Sequence, residues 1–206
     1  KHFDVVIHTA ISGGSRLQKD DSNVFYQNIQ MFYNLLYNNH NFSKFITFGS
    51  GAELNMPTNP YGLSKNVINR IIEQEPNFYN IRVYGVFDEN ELDTRFIKSN
   101  IKRYINKQPI EIHQNKLMDF IHMEDLISLV KYYINNSLVP KVGEGCYRKK
   151  HSLLDIANII NNLSDYKVPI NIQNKDLSLP YVGRMIPSIK FRGLEEGIKK
   201  VYSKLK

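Results

Sequence analysis

Short β-branched runs alternate with stretches of helical period along the first part of the chain. The runs predict three buried strands, at Phe3–His8, Lys44–Phe48 and Asn80–Phe87. Between them, residues 20–39 and 61–74 carry apolar side chains three or four positions apart, which predicts two helices. Asn59 before Pro60 is typical of a helix start. The order strand, helix, strand, helix, strand predicts a parallel α/β sheet with helices on both faces.

The rest of the chain has a looser order of elements. Apolar periodicity predicts helices at 94–107, 124–135, 152–163 and 193–205, and strands at 110–113, 117–121, 143–148 and 169–173. Ser152 and Asp155 form the pattern of a capping box. We predict two regions, 1–92 and 93–206, with the helix at 123–135 packing back on the sheet of the first region.

Composition narrows the function classes. The chain has 206 residues, of which 42% are hydrophobic, which is enough to form the hydrophobic core of a folded domain. Its apolar runs are far shorter than the roughly 20 residues of a membrane helix, and no membrane partner is expected. The net charge of +7 favours anionic ligands. Because the basic residues are scattered, phosphate-bearing small molecules are favoured over nucleic acid.

Cysteine and histidine usage predicts no metal site. Cys146 is the single cysteine, so neither an internal disulfide nor a Cys-x-x-Cys zinc site is available. His122, Glu124 and Asp125 suggest a ligand set, but acids at a helix start are usually explained by the helix dipole. The start of the sequence has no pattern of a signal peptide, and a reducing cytoplasm is the expected location.

The most informative segment is Pro-Tyr-Gly-Leu-Ser-Lys at 60–65. Tyr61 and Lys65 are about one helical turn apart and share a face. A cation about 4 Å from the phenol would favour the phenolate by roughly 4 kcal/mol at an effective dielectric of ~20. Such a pair suits proton transfer at a hydroxyl or carbonyl oxygen while hydride moves at the carbon. Ser50, between Gly49 and Gly51, could donate a hydrogen bond to the same oxygen.

The pair also has a plainer interpretation, because Tyr-x-x-x-Lys occurs by chance in many helices. Its position favours chemistry: Ser50 and Tyr61 lie at or just beyond the carboxyl ends of successive strands, where open α/β sheets bind ligands. Esterase chemistry is not favoured, because Phe48 and Ala52 stand where a Gly-x-Ser-x-Gly elbow needs glycine.

Several segments, taken in order, resemble landmarks of the extended short-chain dehydrogenase/reductases, and within them the NAD-dependent epimerase/dehydratase family of nucleotide-sugar enzymes. They are VVIHTA at 5–10, Asn28, FITFGSGA at 45–52, YGLSK at 61–65, IRVYGVF at 81–87 and MDFIHMEDL at 118–126. The resemblance implies a Rossmann-like doubly wound parallel sheet with a small C-terminal α/β substrate lobe. Residues 1–92 would be the remainder of the dinucleotide-binding domain, and the lobe would dominate 93–206.

The same resemblance implies the roles of individual residues. Ser50, Tyr61 and Lys65 would be the catalytic trio, with Lys65 also holding the nicotinamide ribose of NAD or NADP. The cofactor would be lined by His8, Thr9, Ala10, Tyr61, Lys65, Tyr84, Gly85 and Val86. Asn28 would brace the sheet nearby.

The sequence departs from the family at its start. No Gly-x-x-Gly-x-x-Gly turn is present, so the sequence has the pattern of a fragment that lacks the N-terminal glycine-rich segment. Gly13 and Gly14 follow a later strand and are expected to form a loop beside the cofactor. A sheet without its first strands would leave Phe3–His8 as an unpaired hydrophobic edge.

Other departures concern the substrate. The connection from Ser50 to Tyr61 is short, and Gly85 and Met118 stand where the family often has asparagine and arginine. Arg95, Lys98 and Lys102 could take over the substrate phosphates, or could form an ordinary solvated helix face. Dehydratases of the group place an Asp-Glu pair directly after the catalytic Ser or Thr. Glu53 comes one position too late for that pair, which favours an epimerase or reductase.

The expected function is therefore an NAD(P)-dependent epimerase or reductase of a (4-keto) hexose nucleotide. The alternative is a catalytically silent module of the same fold with a regulatory or scaffolding role, and a nucleic-acid binder is a third, less favoured class. The helix at 20–39 is rich in aromatic residues: Phe25, Tyr26, Phe32, Tyr33 and Tyr37. By resemblance, it and the helix at 61–74 would form the interface of a homodimer.

Overall fold

The computed structural model describes residues 1–15, 18–55, 59–176, 178–184 and 189–206. The strands are β1 (Phe3–His8), β2 (Phe42–Ser50), β3 (Phe78–Val83), β4 (Val86–Phe87), β5 (Ile110–Gln114), β6 (Ile121–His122), β7 (Val142–Gly145) and β8 (Ile170–Asn174). The α-helices are α1 (Ser22–Tyr37), α2 (Ala52–Asn55), α3 (Pro60–Gln74), α4 (Phe96–Ile105), α5 (Met123–Asn135), α6 (Leu153–Asn161) and α7 (Leu194–Leu205). The chain forms two units, Lys1–Val83 with Leu129–Glu144, and Tyr84–Ser128 with Gly145–Lys206.

The first unit is built on a four-stranded sheet in the order β1-β2-β3-β7. β1 pairs with β2 and β2 with β3, both in parallel, so the predicted parallel sheet is confirmed. The predicted strand at 80–87 is wrong in its extent, because β3 ends at Val83 and Val86–Phe87 pairs separately with β6. Gly85 interrupts the run, and its carbonyl accepts a hydrogen bond from the Ile121 N–H at 2.8 Å.

An aromatic cluster fixes α1 and α3 on one face of this sheet. Phe32 of α1 packs with its ring edge toward Phe45 and Phe78, and the Phe45 and Phe78 ring centroids are 4.7 Å apart. Ile68 and Ile72 of α3 complete the cluster. On the opposite face, Tyr79 of β3 packs against Tyr133 of α5 at 5.8 Å. Helices therefore cover both faces, as the strand–helix alternation predicts.

Local capping explains where the helices begin. The Asp21 side chain accepts a hydrogen bond from the Asn23 N–H at the start of α1. Asn59 caps α3 in the same way and is followed by proline, so the predicted helix start is confirmed. Ser152 and Asp155 form the predicted capping box of α6.

The second unit contains two small parallel pairs, β4 with β6 and β5 with β8. Helices α4 and α6 contact β5 and each other, and α7 contacts α4 and α6. The fully buried side chains of these helices include Ile97, Ile101, Ile156, Ile160, Ile198 and Val201. The predicted strand at 117–121 is wrong in its extent, because Leu117 and Met118 make only isolated bridges. The predicted strand at 143–148 likewise ends at Gly145.

β1 lies at one end of the described sheet. Phe3 and Ile7 on this strand are 46% and 43% exposed, and an apolar edge strand of this kind is a template for pairing with another strand. Across the described part of the chain, we found no helix of the length and apolarity that a membrane crossing needs.

Replacing Phe45 by Ala tests the aromatic cluster. Phe45 is fully buried, so we expect the free energy of unfolding to fall by about 3–5 kcal/mol, the range for deletion of a buried aromatic ring. Leu138→Ala, at a side chain that is 95% exposed, is the control and should change stability by less than ~0.5 kcal/mol. Urea unfolding measures both, and equal losses would contradict the assignment of this core.

Candidate active site

Two loops at the carboxyl ends of β1 and β2 form the floor of the candidate site. β2 ends at Ser50, whose side chain is buried and whose hydroxyl oxygen accepts a hydrogen bond from the Ala52 N–H at 3.2 Å. That bond opens the short helix α2, an element that the sequence pattern did not predict. Positions 56–58 of the connection from Ser50 to Tyr61 lie outside the described residues.

Tyr61 and Lys65 lie in the first turns of α3, on one face of the helix as predicted. The Lys65 Nζ is 6.0 Å from the centroid of the Tyr61 ring and donates to the Phe48 carbonyl oxygen at 2.6 Å. Lys65 is almost completely buried. This burial lowers its pKa to about 8, although the charge of Glu53 acts in the opposite direction.

Asn28 of α1 holds the loop after β1. Its side-chain oxygen accepts from the Ser12 N–H at 2.8 Å, and its amide donates to the Ser12 carbonyl and to the Ser64 hydroxyl, each at 3.0 Å. Asn28 thus joins the loop to α3. Within that loop, Gly14 has a φ of +74°, and a Cβ placed there would be 2.8 Å from the Tyr61 ring. A residue with no side chain is therefore required where the backbone covers this ring.

His8 is the last residue of β1 and is buried beside β2. Its Nδ1 lies 3.4 Å from the Thr47 hydroxyl, and its ring packs 5.9 Å from the Phe45 ring. Burial, assisted by the charge of Lys65, lowers the pKa of His8, which favours the neutral imidazole. Its Nε2 is buried without a hydrogen-bond partner among the described residues. Thr9 and Ala10 follow it and are exposed.

A buried polar cluster next to Lys65 was missed by the sequence analysis as a group. Arg82 of β3 forms ion pairs with Glu53 of α2 and with Glu144 of β7. Asn80 donates to Glu53 at 3.3 Å and to Asn69 of α3 at 2.7 Å. The available signal was the presence of Asn80 and Arg82 inside an otherwise apolar strand, since a buried strand rarely carries such residues without partners.

The remaining predicted cofactor residues belong to the second unit. Tyr84 packs against Tyr181, with ring centroids 5.2 Å apart. A Cβ on Gly85 would be 2.7 Å from the Phe120 ring, so the backbone approaches this ring closely. Val86 pairs with Ile121 in the β4–β6 ladder. Their role at a cofactor stays a prediction.

The cations of the basic helix α4 and of its N-cap residue Arg95 lie near acids from the segment that precedes the helix. The Lys98 and Lys102 ammonium groups lie 3.0 and 2.5 Å from the Asp93 carboxylate, and Arg95 lies 4.0 Å from Glu91. Burial raises the pKa of Glu91 to about 7. Binding of substrate phosphates by these three cations stays a prediction, and such binding would compete with Asp93.

The described residues contain no group of three or more His, Cys, Asp or Glu that could hold a metal ion. The candidate site in the first unit brings together the hydroxyl of Ser50, the phenol of Tyr61, the ammonium group of Lys65 and the imidazole of His8. A parallel α/β sheet that carries a tyrosine and a buried lysine at the carboxyl ends of its strands is typical of a Rossmann-type dehydrogenase or epimerase.

The chain belongs to the NAD dependent epimerase/dehydratase family, whose sequence model matches residues 1–143. The family predicted from the sequence is thereby confirmed. The predicted cofactor, NAD or NADP, is confirmed at the level of the family.

Solved structures confirm the Rossmann-like fold. A UDP-glucuronic acid 4-epimerase variant from Bacillus cereus, in complex with NAD and a fluorinated UDP-sugar, matches with a TM-score of 0.80 at 18% identity, over 97% of this chain and 74% of that chain. A UDP-N-acetylglucosamine 4-epimerase from Methanobrevibacter ruminantium matches at 0.76 and 19%, over 98% and 76%. A GDP-D-glycero-L-gluco-heptose synthase from Campylobacter jejuni, in the presence of NADPH, matches at 0.77 and 15%, over 98% and 82%.

Replacing Gly14 by Ala tests the contact between the loop and Tyr61. The positive φ imposes strain of about 1–2 kcal/mol on any L-residue, and the new Cβ would also collide with the Tyr61 ring. The same substitution in a Tyr61→Ala background is the control, because it keeps the positive φ of Gly14 but removes the ring that the new Cβ would meet. We expect Gly14→Ala to lower the free energy of unfolding more than the control. Equal losses in urea unfolding would show that the contact has no energetic weight.

Proposed function

We propose that this protein is an NAD(P)-dependent enzyme that acts on a nucleotide-linked hexose, as an epimerase or a 4-keto reductase. The observation that carries the proposal is the Tyr61–Lys65 pair on α3, one helical turn apart, with Ser50 at the carboxyl end of β2. Family membership supports it independently. A nicotinamide cofactor, when bound, would accept or donate the hydride at the sugar carbon.

The chain's own residues supply the proton transfer. Tyr61 exchanges a proton with the sugar oxygen, and the Lys65 ammonium stabilises the phenolate form of Tyr61 because opposite charges attract across the 6.0 Å that separate Nζ from the ring centroid. Ser50 orients the same oxygen by a hydrogen bond. The buried His8 Nε2 has no hydrogen-bond partner in the described part of the chain, which supports a polar ligand at the carboxyl end of β1, because buried polar atoms normally have a partner.

A nucleotide sugar is proposed as the substrate because the similar structures are of enzymes named for UDP-sugars and GDP-heptoses. Epimerase or reductase chemistry is favoured over dehydration by the position of Glu53. Its carboxylate is buried against Arg82 and Asn80. A carboxylate held in this way does not serve as the free acid that elimination of water needs.

Replacing Tyr61 by Phe tests the mechanism. We expect turnover of a 4-keto or 4-hydroxy hexose nucleotide to fall by about 10²–10⁴-fold, the usual contribution of a general acid-base, while the affinity for NADH or NADPH stays near that of the wild type. Tyr132→Phe on α5 is the control and should keep its turnover. Cofactor affinity can be followed by the fluorescence of the nicotinamide, since the chain has no tryptophan to report binding.

Three outcomes are distinguished. Cofactor binding with turnover lost in Tyr61→Phe supports the enzyme. Cofactor binding without turnover in any variant supports the silent module. Full turnover in Tyr61→Phe would remove Tyr61 from the mechanism.

We also propose a homodimer through α1 and α3. Tyr26, Tyr33 and Tyr37 lie on one side of α1 and are 65%, 57% and 73% exposed, and Leu63 of α3 is 39% exposed. Exposed aromatic residues clustered on one surface are typical of interfaces.

Replacing Tyr33 by Glu tests this surface. A carboxylate on the exposed aromatic side of α1 would have to be desolvated on association, so we expect the dimer to dissociate. Sedimentation velocity measures the change, and Leu179→Glu, at a side chain of the second unit that is 85% exposed, is the control. A wild-type protein that is monomeric at micromolar concentration, or a variant that remains dimeric, would refute the proposed interface.

A further inference from the structure

Glu53 follows Ser50 by three positions, and its side chain is turned into the protein. It is 1% exposed, and its carboxylate forms an ion pair with the Arg82 guanidinium. Asn80 donates to the same carboxylate at 3.3 Å. Burial raises the pKa of Glu53, and the charge of Arg82 opposes that rise. A buried charge is costly unless its neighbours compensate it, so these neighbours define its role.

The backbone around Glu53 joins Ser50 to the helix that carries Lys65. The Asn66 side chain, next to Lys65 in sequence, donates to the Glu53 carbonyl oxygen at 2.9 Å. At the other end of the same segment, the Ala52 N–H donates to the Ser50 hydroxyl oxygen. The two hydrogen bonds connect the end of β2 with α3 through α2.

The region holds two buried cations, Lys65 and Arg82, and two carboxylates, of which Glu53 is buried and Glu144 is partly exposed. Arg82 contacts both carboxylates, Glu53 and Glu144. Lys65 donates instead to a backbone carbonyl. Burial lowers the pKa of Lys65, and the negative charge of Glu53 opposes that effect. Without the charge of Glu53, two buried cations would face one carboxylate.

We propose that Glu53 is a positioning residue of the active site: its carboxylate offsets the buried positive charges beside it, and its backbone connects Ser50 with α3. The proposal rests on the proposed function, in which the Lys65 ammonium group stabilises the phenolate form of Tyr61. His8 of β1 and Tyr61 of α3 also face Lys65. His8 adds no negative charge and Tyr61 adds one only as the phenolate, so neither replaces Glu53 in the resting protein.

The pH dependence of unfolding tests the charge of Lys65 without any need for turnover. Lys65 has a folded pKa of about 8 and an unfolded pKa near ~10.4, so the unfolded chain binds the extra proton between these values. The free energy of unfolding therefore rises with pH across this window. In Glu53→Gln the folded pKa falls further, and we expect the rise to begin about 1 pH unit lower.

Glu144→Gln is the matched control. It removes the second carboxylate that pairs with Arg82 but keeps the charge of Glu53 that acts on Lys65. The free energy of unfolding of this variant should therefore begin to rise at the same pH as that of the wild type. Where turnover is measurable, the alkaline limb of the kcat/KM profile should shift down in Glu53→Gln and stay in place in Glu144→Gln. Glu53→Asp keeps the negative charge, so the alkaline limb of its kcat/KM profile should lie at the wild-type pH.

The proposal is overturned if the pH at which the free energy of unfolding begins to rise shifts equally in Glu53→Gln and Glu144→Gln, or in neither. An onset that shifts only in Glu53→Gln, in a protein without turnover, supports the electrostatic role of Glu53 while the proposed function fails, so the two failures are distinct. If Glu53→Gln does not fold, the double variant Glu53→Gln/Lys65→Met keeps the buried charges balanced and should recover folding. A double variant no more stable than Glu53→Gln would also overturn the proposal.

Discussion

The burial of a lysine side chain is the constraint on which the first unit depends. An ammonium group removed from water must find acceptors and compensating charge nearby. Lys65 finds the acceptor in the carbonyl oxygen of Phe48 and the charge in Glu53. The face of the sheet beneath α3 divides accordingly. Its amino-terminal half is aromatic, with Phe45 and Phe78, and its carboxyl-terminal half is polar, with Asn80 and Arg82. The first half supplies stability and the second half supplies the environment of the site.

In the second unit, two buried carboxylates hold loops and a helix start in place, whereas the first unit is organised by a continuous four-stranded sheet. Asp125 accepts hydrogen bonds from the N–H groups of Arg192 and Gly193 at the start of α7 and from the Tyr147 hydroxyl. Asp119 accepts from Lys150 and from the Gly183 N–H. Side-chain carboxylates therefore satisfy backbone N–H groups that lie outside the strands of this unit, including those at the start of α7.

Local sequence determined much of what could be predicted. The helix starts at Asn59 and Ser152 depend on contacts within a few residues, and the Tyr61–Lys65 spacing depends only on helix geometry, so all are visible in the sequence. The Glu53–Arg82 pair spans 29 positions and depends on the register of β2 with β3, which no periodicity reveals. The end of β3 was missed for a similar reason. The apolar run continues to Phe87, but the partner strand changes after Val83.

Helix α1 faces the candidate site on one side and solvent on the other. Asn28 holds the loop that covers Tyr61, while Tyr33 and Tyr37 point outward. An α-helix turns by about 100° per residue, so an insertion or deletion of one residue between Asn28 and Tyr33 would rotate the aromatic surface away from its present direction while Asn28 stayed fixed. Substitutions can change the chemistry of the outer surface without moving Asn28, but the length of the segment between them must keep the helical phase that Asn28 sets.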